Sequence, residues 1–364
     1  MEGSAFFIFF RSTFPSSLSK IFKTKMKVAI DISPLTSGHQ SRGVGYYLKG
    51  LLPELKKIKN LEIIEWDGGK NLPKVDLIHI PFFDLFYPTL PIKKLAPTVV
   101  TIHDVTPLKF PGQYPPGIRG KLVFLRQKIA LRGVKMIITD STASEKDIVN
   151  ILKIPNKKVQ VVYLAQSLED KPVKEDIRLK YNLPEKYLIN VGNISWNKNI
   201  LAMCEACIQE KITLVLVGKS FLQTDQNHPE LRSHKEFLEK YAGSPYIKRV
   251  GYVSDEDLVG LYHSSLGSLF VSFYEGFGIP VLDSQQLGVP VVTSNTSSLP
   301  EIAGEGAILV DPYSVSEIRS AISKLMLDPT LRQELINKGR QNIKRFSWPE
   351  TARLTYEVYK KVLS

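Results

Sequence analysis

Residues 268–312 read SLFVSFYEGFGIPVLDSQQLGVPVVTSNTSSLPEIAGEGAILVDP. Three apolar, β-rich runs lie in this stretch, at 268–272, 289–294 and 307–310. Each is bounded by Gly, Pro, Ser or Asn, and each predicts a short buried strand. Between the first two stands Glu275-Gly276-Phe277-Gly278-Ile279-Pro280, then a segment with helical character up to Leu287. Gly288 is placed to end that helix. The order strand, Gly-rich turn, helix, strand is a βαβ unit with its turn at the carboxyl end of a strand. Ligands of open α/β sheets bind at that end, and unpaired amides at a helix start hold anions. Glu275 stands at the turn. Asp283 follows about two helical turns later.

Outward from this unit, the same alternation recurs. A strand at 187–191 runs into Gly192-Asn-Ile-Ser-Trp-Asn-Lys-Asn199 and a helix; a strand at 212–217 runs into Gly218-Lys219; a shorter strand spans 247–252. Asp255-Glu256-Asp257 contains a D-x-D that could suggest a metal. The capping reading is better: Ser254 caps a helix and Asp257 occupies its third position. Helices are predicted at 316–327, 330–346 and from Ser347-Trp-Pro-Glu350 to the terminus.

The first half repeats the pattern. Strands are predicted at 26–33, 77–80, 98–102, 136–139 and 159–163. A polar loop at 36–45 carries Gly43-Val-Gly45 and precedes an amphipathic helix from 46 to about 57. Leu48 stands where the Rossmann fingerprint needs its third glycine, so the fingerprint is incomplete. Glycines there are still able to admit a phosphate to the backbone. The strand at 98–102 ends in His103-Asp104, a turn where a functional histidine is expected. Asp140 to Glu145 offers a helix N-cap. Residues 165–185 are polar, with Pro172 and Pro184, and read as a linker. The fold class is therefore α/β, with two Rossmann-like domains facing each other across a cleft. The divisions are 26–180, 181–346 and a terminal helix at 347–364. Residues 1–25 are an extension, expected to be disordered, with an apolar block at 5–10; a membrane-surface anchor is the alternative.

Composition narrows the classes. At 364 residues, with 43% hydrophobic and 23% charged residues, the chain is an ordinary globular one. No apolar run approaches bilayer-spanning length. Cys204 and Cys207 lie alone in an apolar helical run, so they read as packing thiols in a reducing cytoplasm. The net charge is +12 and lopsided: residues 1–170 hold 25 Lys and Arg against 14 Asp and Glu, while 171–364 hold 23 against 22. The helical stretch 117–136 is basic, with apolar residues at 122, 125 and 129 in helical register. Such a helix usually packs that face on its own domain; the rarer outcome is a helix lying on an anionic membrane.

The run Ser272-Phe-Tyr-Glu-Gly-Phe-Gly-Ile-Pro-Val-Leu-Asp283 resembles the signature of retaining glycosyltransferases of family four, which have the GT-B fold. In that signature a Glu is followed, after seven residues, by a second Glu. Here the second acid is Asp283, one methylene shorter. The resemblance extends to His103-Asp104 and to the turn ending in Lys198, and covers roughly residue 26 to the end. It implies that Glu275, with Gly276, Phe277, Gly278 and Ile279, meets the donor sugar, that His103 lies near that sugar, and that Asp283 holds the nucleotide ribose. Carboxylates suit hydroxyl partners. Lys198 matches the lysine that neutralises the donor diphosphate. Asn197 stands where the family typically has Arg, which removes a cation. The loop with Gly43 and Gly45 faces diphosphate and acceptor in the resembled family.

The implied activity is transfer of a hexose from a nucleotide sugar to a glycan or lipid-linked hydroxyl, with retention, no cofactor and no metal. The mannosyltransferase-like branch and GDP-mannose are favoured over a UDP-hexose. An anionic membrane is an expected peripheral partner, at the inner face; nucleic acid is not expected, because no aromatic platform or helix-turn-helix pattern accompanies the charge. The competing readings are another GT-B enzyme, such as a nucleotide-sugar epimerase, and a non-catalytic sugar-nucleotide-binding subunit.

Overall fold

The computed structural model describes residues 25–36, 43–69, 71–223 and 232–364. The expected extension before residue 25 and most of the first polar loop lie outside the described residues.

Six strands build the first sheet: β1 (Met26–Asp31), β2 (Leu61–Trp66), β3 (Leu77–Ile80), β4 (Thr98–Thr101), β5 (Met136–Thr139) and β6 (Val159–Val161). Their order is β2-β1-β3-β4-β5-β6, and every pairing is parallel. Six more build the second: β7 (Tyr187–Val191), β8 (Thr213–Val217), β9 (Ile247–Gly251), β10 (Gly267–Phe270), β11 (Val291–Ser294) and β12 (Ala307–Val310). Their order is β12-β11-β10-β7-β8-β9, again all parallel. Helices cover both faces of such sheets, so central strands such as β3, β4, β5, β10 and β11 are buried at every position.

One strand escapes the sequence reading. β2 is Leu-Glu-Ile-Ile-Glu-Trp, with exposed glutamates that break the apolar run. It lies at the sheet edge, where such charges are tolerated. A second difference concerns the first loop. The helix that follows it spans Gly43–Lys56, so Gly43 and Gly45 belong to its first turn rather than to a loop, and Gly45 is buried.

The terminal helix, Trp348–Leu363, packs on the Gly43–Lys56 helix of the first domain. The fit is close: a Cβ on Gly50 would fall 2.2 Å from the Trp348 indole. Tyr359 and Val358 join Val28, Ile30 and Leu51 in one core. The Tyr359 hydroxyl is 2.7 Å from His79 Nδ1, and His79 Nε2 is 2.8 Å from Thr101 Oγ1. Burial holds the His79 pKa down to about 3, so this histidine is a neutral packing residue.

The basic helix is Gly117–Arg132, and it reverses the commoner expectation. Its buried face is Gly120, Gln127, Ala130 and Leu131. Leu122, Leu125 and Ile129 are exposed. The reason is that Gln127 is the residue the neighbouring loop needs: its amide donates to the carbonyls of Asp84 and Tyr87. Cys204 and Cys207 are free and buried in the Ile200–Gln209 helix. Ser254 caps its helix by accepting from the Asp257 amide at 3.1 Å, and Asp257 pairs with Lys180 at 2.9 Å.

Candidate active site

In the second sheet the chain runs outward from β7 to β8 and β9, then returns to place β10 on the other side of β7. The loops after β7 and β10 therefore leave in opposite directions and open a crevice between them. This is the switch point at which doubly wound sheets bind ligands. Lys198 lies in the turn after β7 and Glu275 in the turn after β10.

Each turn is fixed by its own bonds. Asn199 adopts left-handed φ 53° and its side chain donates to the Pro312 carbonyl at 2.7 Å. This ends the Trp196–Lys198 3₁₀ turn and starts the Ile200–Gln209 helix. In the other turn, Ser297 Oγ accepts from the Glu275 amide at 3.1 Å, and Ser298 Oγ donates to the Phe277 carbonyl at 2.6 Å. Ser141 Oγ, from the first domain, donates to the Gly276 carbonyl at 2.7 Å. With these groups anchored, the amides of Gly276, Phe277 and Gly278 donate to no protein acceptor among the described residues. They precede the Ile279–Gln286 helix, and such a run of free amides suits an anion.

The two loops meet in one ion pair. Lys198 Nζ is 2.7 Å from Glu275 Oε1 and 2.9 Å from Oε2. Only the contact to Oε2 has hydrogen-bond alignment; Oε1 is buried against the ammonium with no other hydrogen-bond partner among the described residues. The ammonium also lies 5.0 Å from the centre of the Phe270 ring. The Glu275 side chain is 11% exposed and that of Lys198 25%, enough to be reached from the crevice and too little for free hydration.

His103 forms the opposite wall. Its Nδ1 is 2.6 Å from Asp140 Oδ2 and its Nε2 is 3.2 Å from the Pro81 carbonyl. Both partners are acceptors, an arrangement that suits the doubly protonated ring. Burial pushes the His103 pKa down, but the Asp140 charge and hydrogen bond outweigh it, and the net direction is up. The two walls touch: a Cβ on Gly276 would lie 2.8 Å from the His103 carbonyl oxygen. Only a glycine lets the Glu275 turn approach the His103 loop this closely.

The two halves match two family descriptions, "Glycosyltransferase Family 4" over residues 43–169 and "Glycosyl transferases group 1" over residues 173–342. This chain is a GT-B glycosyltransferase of family four. The O-antigen chain mannosyltransferase B of Escherichia coli is 29% identical over 280 residues, covering 73% of this chain and 71% of that protein. The serotype-specific mannosyltransferase WbdA of the same organism is 27% identical over 73% of this chain, which spans 34% of WbdA. Solved structures share the fold. A sucrose-phosphate synthase from Thermosynechococcus elongatus superposes with TM-score 0.70 at 17% identity, covering 93% of this chain and 99% of its own. Anabaena HepE, in complex with UDP and glucose, superposes with TM-score 0.67 at 16% identity, covering 92% of this chain and 99% of its own.

In this glycosyltransferase two of the expected donor-binding residues are bonded to other parts of the chain. Asp283 is buried, and its carboxylate is taken up by the linker: Ser167 N at 2.6 Å, Leu168 N at 3.1 Å and Ser167 Oγ at 2.7 Å. This geometry makes Asp283 a clamp on the interdomain connection. Asn197 is equally occupied. Its Oδ1 accepts from Ser195 Oγ at 2.7 Å and from the first-domain Tyr114 hydroxyl at 2.9 Å, and its Nδ2 donates to the Tyr274 carbonyl at 3.0 Å. An amide has the donor and the acceptor for this interdomain bridge; the family's usual arginine has donors alone.

Burial pushes the Asp283 pKa up to about 6, against the hydrogen bonds from Ser167 and Leu168. A carboxyl raised on folding binds its proton more tightly in the native state, so its contribution falls as pH rises from about 4 to about 6. Asp283→Asn keeps an acceptor for both amides and a partner for the Ser167 hydroxyl. In urea unfolding, the wild type is expected to lose stability relative to this variant between about pH 4 and about pH 6. A difference that does not change with pH would overturn the account.

Several groups in the site have no sequence motif. Within the Asp140 to Glu145 run Ser141 supplies the helix cap, and Asp140 turns to His103. Glu301 accepts from the Thr142 amide at 3.0 Å and the Tyr163 hydroxyl at 2.7 Å, and so clasps the first domain. The polar run from Ser294 to Ser298 was the available signal for the hydroxyls that hold the Glu275 turn. Among the described residues, no group of three or more His, Cys, Asp or Glu side chains is placed to hold a metal ion. No helix among them is long and apolar enough to cross a membrane.

Proposed function

We propose that this glycosyltransferase moves mannose from a nucleoside diphosphate donor, GDP-mannose in preference to a UDP-hexose, to a hydroxyl of a glycan or lipid-linked acceptor. The anomeric configuration is retained and no metal takes part. The observation that carries this reading is the Lys198–Glu275 pair at the β7/β10 switch point, beside three free amides. Mannosyltransferases among the relatives favour the sugar. The HepE complexes with UDP and UDP-glucose support a nucleotide-sugar donor in this fold.

The chemical difficulty is negative charge growing on the departing diphosphate. Lys198 and the amides of residues 276–278 supply positive potential that is already oriented before the reaction, which is where electrostatic stabilisation is most effective. Glu275 holds Lys198 in place and presents its carboxylate, 11% exposed, to a sugar hydroxyl. His103, its pKa raised by Asp140 and both its ring nitrogens held by Asp140 and the Pro81 carbonyl, adds positive potential on the first-domain wall. Closing the two domains over the donor keeps water from competing with the acceptor.

Calorimetric titration of GDP, UDP and ADP tests the donor site. One of the three is expected to bind, with an affinity about tenfold or more weaker in Lys198→Ala, the loss typical of a charged hydrogen-bond partner. Failure of all three to bind the wild type would overturn the proposal. The anomeric configuration of the product, read by NMR coupling, tests retention separately.

A further inference from the structure

The Gly117–Arg132 helix has two apolar faces, and only one has a partner among the described residues. At 100° per residue, Gly120, Gln127, Ala130 and Leu131 point into the domain, while Ile118, Leu122, Leu125 and Ile129 fall within a 60° arc on the opposite side. The four outward residues are 82%, 65%, 59% and 43% exposed. A continuous stripe of large apolar side chains in water is unusual for a surface that meets nothing else. Ile92 and Leu95 are exposed on the neighbouring loop, whose Lys94 donates to the Ala130 carbonyl at 2.8 Å.

Charge selects the occupant. Lys121, Lys128 and Arg132 flank one side of the stripe, and Arg119 flanks the other. The helix contains no acid at all. A convex apolar ridge between basic margins is the pattern of a helix lying in a membrane interface, with leucines among the acyl chains and cations at anionic headgroups. A groove would favour a peptide, but the stripe stands on the outer face of a helix.

We infer that the Gly117–Arg132 helix is a docking face for an anionic lipid surface. The segment leading into the helix stands close to the crevice. Tyr114, three residues before the helix, donates to Asn197 beside Lys198, and its ring meets Trp196. A protein seated by this helix would hold its interdomain seam near the bilayer, where a lipid-linked hydroxyl is presented. The docking itself does not depend on which sugar is transferred.

The test is co-sedimentation of the full chain with phosphatidylcholine vesicles, with and without 30% phosphatidylglycerol. The wild type is expected to pellet with the anionic vesicles and to be released by salt. Two variants locate the contact: Leu122→Ser with Leu125→Ser, and Lys121→Glu with Lys128→Glu. These exposed positions leave the urea midpoint unchanged, and each pair is expected to weaken binding about tenfold or more. Three outcomes overturn the inference: wild type that stays in the supernatant; variants that pellet like wild type, which puts any lipid contact elsewhere in the chain; or a wild-type dimer that the leucine variant converts to monomer, which assigns the stripe to a second copy.

Discussion

Glu275→Ala is expected to lower the acceptor-dependent transfer rate by about 10²–10³-fold, the scale seen when one oriented group is removed from a charge-stabilising site. The argument is local. Glu275 stands at the switch point, its backbone held by Ser297 and Ser298, its Oε1 without an aligned hydrogen bond. A sugar hydroxyl in the crevice is expected to donate to this carboxylate, which is 11% exposed beside Lys198. Removing the carboxylate also leaves Lys198 without its internal anion. Nucleoside diphosphate binding should therefore hold or tighten while turnover falls, a split between binding and catalysis that a merely unfolded variant would not show. Glu275→Gln keeps the acceptor oxygen and should retain more activity than the alanine. An unchanged transfer rate in Glu275→Ala would remove this residue from the reaction.

Gly218→Ala is expected to destabilise the second domain by about 4 kcal/mol or more, an effect reserved for overpacking and forbidden backbone geometry. Gly218 has φ 155° and ψ 151°, a region essentially closed to residues with a Cβ. The added atom would also stand 1.8 Å from the Gly192 carbonyl oxygen, so the turns after β7 and β8 would have to part. For a domain of this size the thermal midpoint should fall by about 10 °C. Gly192→Ala is the control. A Cβ there meets nothing within 4 Å, and its midpoint should barely move. Equal midpoints for the two variants would show that the turns do not approach as described. The functional consequence follows from position, since the loop starting at Gly192 carries Lys198.

Most strands were legible because their information is local. β3, β4 and β5 are short runs of branched apolar residues between polar breaks, and nothing distant is needed to identify them. β2 was missed for the same reason: an edge strand tolerates Glu62 and Glu65, which erase the pattern. The Glu275 turn and Lys198 were legible because their glycines and charged residues stand at the ends of such strands. The two-domain α/β architecture followed from the repetition of these units along the chain.

Partnerships across the chain were decided only by the tertiary structure. Asp283 meets Ser167, His103 meets Asp140, and Asn197 meets Tyr114, each across 37 to 116 residues of sequence. A side chain's type states what it is able to bond; the packing of the domains states what reaches it. The basic helix makes the same point for apolar surface. Its period was plain in the sequence, but a period cannot say which face is covered. That was decided by the loop carrying Asp84 and Tyr87, whose carbonyls draw Gln127 inward and turn Leu122 and Leu125 out to solvent.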